Sequence, residues 1–173
     1  MCPIPKISRG VGVADYRPIS LLPILSKVLE RLVSKHFILP FIHKYLSNPQ
    51  FAYISVPGTG ACCSLSLTYD RILNFLDTPS AVRILSIDFS KAFDKILHSS
   101  ILKSASHFSI PKNIVHWIHS FCPSRSQCVR VNSVYSLWSH IRSGVSQSSV
   151  LGPLLFLMVV DELPCVSMNS MCI

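Results

Sequence analysis

The chain has 173 residues, of which 49% are hydrophobic and only 14% are charged, and its 16 Lys and Arg against 8 Asp and Glu give a net charge of +8. This length suits one domain with a sizeable core and is short for two. So apolar a composition leaves little polar surface to cover that core, which predicts poor solubility. The positive charge favours a polyanionic partner, either nucleic acid or an anionic membrane surface.

The cysteines and the apolar runs restrict the compartment. Seven cysteines are an odd number and follow no disulfide framework, which favours a reducing compartment. The first 16 residues contain no apolar stretch of signal-peptide length, so we expect an intracellular protein, in either the nucleus or the cytoplasm. The longest apolar run, Val150 to Val160, is roughly half the ~20 residues that a membrane helix needs. It predicts a buried helix and no membrane partner.

The first half of the chain predicts helices between irregular segments. Residues 1–18 are broken by Pro and Gly and predict an irregular basic arm. Helical spacing follows over Ser20–Leu46, and Pro40 should kink or end that helix. Its predicted apolar face is Leu25, Val28, Leu29, Leu32 and Ile38, with Lys27, Glu30, Arg31 and Lys35 on the other side. After a loop over 48–60, a second helix has the predicted apolar face Ala61, Leu65, Tyr69, Ile72 and Leu76.

The second half predicts more helices on a short sheet, and therefore an α+β fold that is helix-rich with an incomplete antiparallel sheet. Gln127–Asn132 and Ser136–Ile141 alternate as two strands, joined by a loop at Ser133–Tyr135. The other predicted elements are a strand at Val82–Asp88, a short helix from Phe89, and helices at Ser99–His107, Pro111–Phe121 and Ser149–Glu162.

Two segments carry the pattern of a chemical site. VRILSIDFSKAFDKIL, residues 82–97, sets an apolar run against Asp88 and then enters a helical turn that carries Asp94. Such a run places a carboxylate at a strand end, although Asp88 could equally cap the following helix. SGVSQSSVLGPLLF, residues 143–156, is a glycine and polar turn that opens an apolar helix.

These segments resemble motifs A and B of reverse transcriptases, specifically those of non-LTR (LINE-type) retrotransposons. DYRPISLL at 15–22, LSKVLERLV at 25–33 and QFAY at 50–53 resemble further segments of the family, in the family's order. The resemblance runs from Pro5 to Leu163. It implies a partial right-hand polymerase, with 1–80 fingers-like and 81–173 a partial palm. The implied chemistry is RNA-directed DNA polymerisation by two-metal nucleotidyl transfer with Mg²⁺, an RNA template, a DNA primer and dNTP.

The resemblance also implies roles for single residues. Asp88 would be the catalytic metal ligand of motif A, and Phe93 would lie under the incoming sugar. Gln147 would contact the dNTP or the template, and Arg17 the template backbone or the triphosphate. Without the resemblance, Phe93 is ordinary core, Gln147 an exposed loop residue and Arg17 a solvated charge. Asp94 is interpreted as a hydrogen-bonding residue outside the metal set.

The chain departs from the family pattern at three points. Ser146 and Ser148 stand where the family usually has Pro and Gly. The YADD hairpin that supplies the remaining aspartates does not arrive before residue 173, so we expect the chain to be inactive alone. The alternatives are a non-catalytic nucleic-acid-binding remnant and an unstable pseudogene product. A zinc site at His116, His119 and Cys122 is a weaker reading, because that spacing is typical of an amphipathic helix.

Overall fold

The computed structural model describes residues 1–46, 61–76, 82–84, 88–123 and 125–161. Those residues form seven α-helices, a 3-10 helix at Val13–Asp15, a π-helical turn at Ser34–Ile38 and three small antiparallel two-stranded sheets, in agreement with the predicted α+β class. The helices are α1 (Ile24–Val33), α2 (Leu39–Tyr45), α3 (Ala61–Leu76), α4 (Ala92–Lys95), α5 (His98–His107), α6 (Lys112–Phe121) and α7 (Leu151–Val160). The strands are β1 (Cys2–Pro5), β2 (Tyr16–Ile19), β3 (Ser126–Gln127), β4 (Arg130–Val131), β5 (Val134–Tyr135) and β6 (Ser139–His140).

The core lies where α5 packs against both α6 and α7. Helix α7, LGPLLFLMVV, is apolar on every side, and most of its side chains are buried. Burying each Leu or Ile stabilises the fold by about 1.5–3 kcal/mol. Ile38 and Ile42 join the same core from the α1–α2 segment, so both halves of the chain contribute to it. The fully buried large side chains include Phe108, Ile38, Ile42, Ile101, Ile118, Leu151, Leu155, Leu157 and Met158.

The predicted long helix is interrupted before Pro40, as the sequence indicates. A π-helical turn, Ser34–Ile38, separates α1 from α2, and Pro40 lies in the first turn of α2. Proline lacks the N–H of a regular ladder, and its ring clashes with the carbonyl four residues earlier. A widened turn before Pro40 is one way for a helix to continue past a proline. The predicted helices at Ser99–His107, Pro111–Phe121 and Ser149–Glu162 are confirmed, with bounds that differ by two residues or fewer at each end.

The predicted apolar face of α1 is wrong. Leu25 is 82% exposed, and Val28, Leu29 and Leu32 are about half exposed, while Ile38 beyond the helix is buried as predicted. Glu30, placed on the polar side by its sequence pattern, is fully buried. On α3 the predicted apolar residues Leu65, Tyr69 and Leu76 are exposed as well. Periodicity therefore located the helices without identifying the face that packs.

The N-terminal residues are more regular than the proline pattern predicts. β1 and β2 pair antiparallel with Cys2 opposite Ile19 and Pro3 opposite Pro18. Proline is tolerated here because a two-stranded sheet consists of edge strands, where a missing N–H can face outward. The expectation of an irregular arm is thus corrected for its two ends, which form a sheet.

Residues 126–140 form the predicted antiparallel hairpin. β3 pairs with β6, and β4 pairs with β5 through a two-residue turn at Asn132–Ser133. The turn lies earlier than predicted, and Tyr135 belongs to a strand, not to the loop. Asn132 adopts φ +54°, a left-handed conformation that Asn tolerates well.

The segment before α4 only partly tests the predicted motif A strand. Residues 82–84 and Asp88 form neither helix nor strand, and residues 85–87 lie outside the described residues, as does the whole of the predicted loop at 48–60. The short helix predicted from Phe89 begins later, at Ala92, after Lys91 with φ +56°.

Candidate functional site

The motif B turn, residues 144–149, is hydrogen-bonded to the end of motif A. Gly144 N donates to Ile96 O and Val145 N donates to Phe93 O, both at 2.7 Å. Gly144 has φ +84°, and a Cβ added to it would lie 2.7 Å from the carbonyl oxygens of Phe93 and Asp94. Only glycine fits that conformation at that distance. The two segments singled out in the sequence are therefore in direct contact.

Gln147 and Asp94 connect the same two segments through their side chains. Gln147 Nε2 donates to Asp94 Oδ1 at 2.9 Å. Ser143 Oγ donates to the backbone oxygen of Asp94 at 3.2 Å. This agrees with the interpretation of Asp94 as a hydrogen-bonding residue. Gln147 is half-buried, and its amide holds the turn against motif A. It is therefore not the exposed loop residue that the sequence without the resemblance would indicate.

Ser148 adopts the conformation that explains the family's glycine. Its φ is +74°, in the left-handed region that costs a residue with a Cβ roughly 1–2 kcal/mol. Its Oγ donates to Ser20 O at 2.6 Å, and Ser20 N donates to Gln147 O at 3.1 Å. The segment after β2 therefore holds the turn from its other side. The serine hydroxyl offsets part of the backbone strain.

Glu30 fixes the helix that follows the turn. Its Oε2 accepts hydrogen bonds from Val150 N at 2.9 Å and Leu151 N at 3.3 Å, and its Oε1 accepts from Ser26 Oγ at 3.3 Å. These N–H groups belong to the first turn of α7, where no intrahelical acceptor exists and a negative charge is favourable. Sequence reasoning missed this role, and the available signal was an acid inside LSKVLERLV.

Arg125 contacts the turn from the hairpin side. Its Nη1 donates to Ser146 Oγ at 3.2 Å, and its guanidinium lies 3.6 Å from the centre of the Phe121 ring. Burial lowers the pKa of Arg125, while the negative charge of Glu30 opposes that change. Arginine stacked on an aromatic ring keeps its charge at neutral pH. Ser146 thus gains a partner that a proline there could not bind.

A cavity of about 300 Å³ lies between these groups. Its lining combines the motif B turn with Asp94, the first residues of the chain and the base of the hairpin. Among the described residues that line it, three have basic side chains and Asp94 is the one acid. The lining includes Ser20, Asp94, Cys122, Arg125, His140, Arg142, Ser146, Gln147 and Ser149. Such an arrangement suits an anionic or polar ligand.

The four predicted site residues are not brought together. Only Gln147 lines the cavity. Asp88 is exposed and is not among the lining residues. Arg17 is exposed on β2, although its neighbour Pro18 reaches the cavity. Phe93 does not line the cavity and packs instead on α7, with the centre of its ring 5.1 Å from that of Phe156.

The described residues do not fit a two-metal site. Two Mg²⁺ ions need several converging carboxylates, and no group of three or more His, Cys, Asp or Glu side chains in the described ranges is arranged to hold a metal. Asp94 is already hydrogen-bonded to Gln147. Of the weaker zinc candidates, His116 and His119 are exposed, while Cys122 is buried and lines the cavity.

Comparison with known proteins identifies the class. A family model described as reverse transcriptase (RNA-dependent DNA polymerase) matches residues 4–171. The chain therefore belongs to the reverse transcriptase family. Its relatives are polymerases of non-LTR retrotransposons, which confirms the predicted lineage. No helix in the described ranges is long and apolar enough to span a membrane.

Three relatives illustrate that lineage. The "Probable RNA-directed DNA polymerase from transposon BS" of Drosophila melanogaster is 32% identical over 152 residues, and that of transposon X-element is 30% identical over 151. Each match covers 87% of this chain and 16% of the relative. The Pol polyprotein of the type-1 retrotransposable element R2 of Popillia japonica is 29% identical over 163 residues, covering 94% of this chain and 22% of its own length. The chain thus spans under a quarter of each of these relatives.

Proposed function

We propose that this chain forms the fingers (1–80) and part of the palm (81–173) of an RNA-directed DNA polymerase, and that it binds template and primer without extending the primer by itself. One observation carries the proposal. The Gln147–Asp94 hydrogen bond and the backbone bonds beside it join the two family motifs at one polar cavity. A cavity shared by motifs A and B is what a nucleotide-binding role requires.

Within this proposal, Gln147 contacts the nucleotide or the template base, since it is the predicted site residue that lines the cavity. Asp88 is proposed as the motif A metal ligand, Phe93 as the residue beneath the sugar, and Arg17 as a phosphate contact. Reverse transcriptases generally use divalent metal ions, which stabilise the charge that develops on the triphosphate. The missing turnover is proposed because the described carboxylates do not form such a metal site.

Binding is tested by fluorescence anisotropy with a labelled RNA–DNA template–primer. Because each phosphate contact releases counterions, even two contacts should weaken binding about tenfold between 50 and 200 mM salt. Absent binding, or binding that does not respond to salt, contradicts the proposal. Lys112→Gln, at an exposed position of α6 that is not among the cavity-lining residues, is a suitable control for a general change in charge.

Turnover is tested by primer extension on an RNA template with the unaltered chain and with Asp88→Ala. We expect no extension with either. Extension that depends on Asp88 contradicts the proposed inactivity while supporting the role of Asp88. Extension that persists in Asp88→Ala indicates a contaminating polymerase and requires repurification before the comparison is made.

The alternative of an unstable product makes a different prediction. The continuous core of α5, α6 and α7 supports a stable fold. A cooperative thermal transition, followed by circular dichroism, is therefore expected. A broad, non-cooperative melt favours the unstable product.

A further inference from the structure

The hairpin at residues 126–140 exposes large aromatic and apolar side chains. Trp138 is 73% exposed, Leu137 92% and Tyr135 60%. Aromatic side chains in water usually find partners, since each can bury 150–250 Å². The hairpin also leaves the body of the protein, with its base at the cavity and its turn at Asn132–Ser133.

One extra residue aligns the aromatic side chains. Between the pairs Gln127–Ser139 and Arg130–Tyr135, the first strand has two residues and the second has three. This is the pattern of a β-bulge, which shifts the alternation of side chains by one position. Counting back from Ser139 places Trp138 on the face that carries Tyr135, which a regular hairpin would not do.

That face also carries the basic residues of the hairpin. The Arg130 guanidinium lies 5.7 Å from the centre of the Tyr135 ring. His140 lies opposite Ser126, with Ser126 Oγ 3.0 Å from His140 Nδ1. Alternation places Arg142 on the same side. We call this set, Arg130, Tyr135, Trp138, His140 and Arg142, the hairpin face.

The part of the sequence that contains the hairpin is basic. Residues 95–160 contain six Lys and Arg and no Asp or Glu. The hairpin and its neighbouring segments in sequence therefore carry positive charge and no carboxylate, which favours a polyanionic partner. Exposed aromatic rings interleaved with arginine are the combination that binds single-stranded nucleic acid, because bases stack on the rings while arginine binds phosphate.

The N-terminal residue holds the hairpin in position. Met1 N donates to Cys128 O at 2.6 Å, and Arg130 N donates to Met1 O at 2.8 Å. Ser136 adds local bonds, because Val129 N donates to its Oγ at 2.9 Å. A positioned hairpin loses less conformational entropy when it binds a ligand.

We propose that the hairpin face binds single-stranded nucleic acid by stacking bases on Tyr135 and Trp138, with Arg130 and Arg142 on the phosphates. The hairpin is up to about 20 Å long at ~3.3 Å per residue. Since its base includes His140 and Arg142, which line the cavity, the face leads a strand toward Gln147. The proposal rests on the proposed function, of which it names an additional contact surface.

The test uses the full chain and labelled 12-nucleotide oligouridylate, with anisotropy as the measure of affinity. Trp138→Ala and Tyr135→Ala should each weaken binding by about fivefold or more, the effect of losing one stacked base. Trp138→Phe should retain most of the affinity, because a phenyl ring still stacks. Arg130→Gln should lower the slope of log affinity against log salt by about one.

Two matched controls separate this face from exposure in general. Tyr69→Ala removes an exposed aromatic ring from α3, and Val134→Ala removes an exposed apolar side chain from the opposite side of the hairpin. Neither should change affinity by more than about twofold. Quenching of Trp138 emission by the RNA provides a second readout, with Trp138→Phe defining the remaining signal from Trp117.

The outcomes distinguish the two proposals. Unchanged affinity in Trp138→Ala and Tyr135→Ala overturns the role of the hairpin and leaves the proposed function standing. Absent binding of the oligouridylate by a chain that still binds template–primer overturns the role of the hairpin alone, whereas absent binding of both ligands overturns both proposals. A blue shift of Trp138 emission on zwitterionic phosphatidylcholine vesicles, with no quenching by RNA, assigns the face to a lipid surface and overturns the proposal.

Discussion

The junction of α1 with α7 and the hairpin at residues 126–140 differ in whether their side chains have partners within the described chain. At the junction, Glu30 is buried and accepts hydrogen bonds from Ser26, Val150 and Leu151. In the hairpin, Tyr135, Leu137 and Trp138 are exposed beside arginine and are covered by no described element. The Glu30 carboxylate has hydrogen-bond donors within the chain, whereas the hairpin exposes its aromatic side chains, which we propose bind a partner.

This difference predicts where substitutions act. Changes at the junction should alter the free energy of unfolding, because buried polar groups lose their partners. Changes on the hairpin face should alter binding with little effect on stability, since exposed side chains contribute little to folding. The following predictions test that division, from the largest expected effect to the smallest.

Glu30→Ala should give the largest loss of stability. It leaves the N–H groups of Val150 and Leu151 without their acceptor, at about 1–3 kcal/mol each, or about 4 kcal/mol together. Glu30→Gln keeps one acceptor oxygen and should cost less. Urea unfolding measures both, with the exposed acid in Asp70→Asn as the control. Equal stability of Glu30→Ala and Asp70→Asn would remove the distinction between the two regions.

Gly144→Ala should destabilise the chain by about 3 kcal/mol. The cost combines a left-handed backbone with overlap against the carbonyls of Phe93 and Asp94. Gly12→Ala is the matched control, because its φ is −102° and a Cβ there meets nothing closer than 3.7 Å. The control should stay within about 0.5 kcal/mol in the same urea titration. If Gly144→Ala lost as little stability as Gly12→Ala, the turn would have to move to make room for the added methyl group.

Cys122 should make stability fall at alkaline pH. Burial raises the pKa of this thiol from 9.0 to about 11. Between those values the folded state keeps a proton that the unfolded state loses, so stability falls as pH rises. The expected loss is about 2 kcal/mol by pH 11.

The measurement compares urea unfolding of the unaltered chain and Cys122→Ala between pH 8 and pH 11. Lysines and tyrosines titrate in both proteins, so the difference in slope isolates the thiol. Parallel curves would contradict the prediction. The exposed Cys62 should also react with a thiol reagent long before Cys122 does.

Ser148→Gly should give the smallest change, a stabilisation of less than about 1 kcal/mol. Glycine relieves the strain at φ +74° but loses the hydroxyl bond to Ser20 and adds chain entropy to the unfolded state. Ser148→Ala keeps the strain and loses the bond, so it should destabilise. Thermal melts of the two variants should shift in opposite directions, and a shift in the same direction would contradict the strain argument.

Local pattern predicted the elements better than their packing. Helices α5, α6 and α7 and the hairpin follow from periodicity and alternation, which are local properties. The burial of Glu30 does not, because its partners Val150 and Leu151 lie 120 and 121 residues away and no repeat in LSKVLERLV encodes them. Local pattern also did not predict the pairing of β1 with β2, because it depends on how the residues between the two strands fold back.

The candidate site was also predictable only in its local features. The motifs identified Gln147 and the turn that carries it, and the family's usual glycine drew attention to Ser148. Arg125 and Glu30 were missed because each acts on the turn from a distant segment. Asp88, Phe93 and Arg17 keep their proposed roles, which require bound nucleic acid and metal to test.

The link between Glu30 and α7 also bears on the order in which we expect the chain to fold. A contact between residues 120 positions apart closes a long loop, so we expect it to form late, because the loss of chain entropy comes before the contact stabilises the fold. On a ribosome, α1 is made first and its carboxylate stays hydrated until the segment around Leu151 emerges. In a chain stalled before that point, the Glu30 carboxylate of α1 would still lack its hydrogen-bond donors, the backbone N–H groups of Val150 and Leu151.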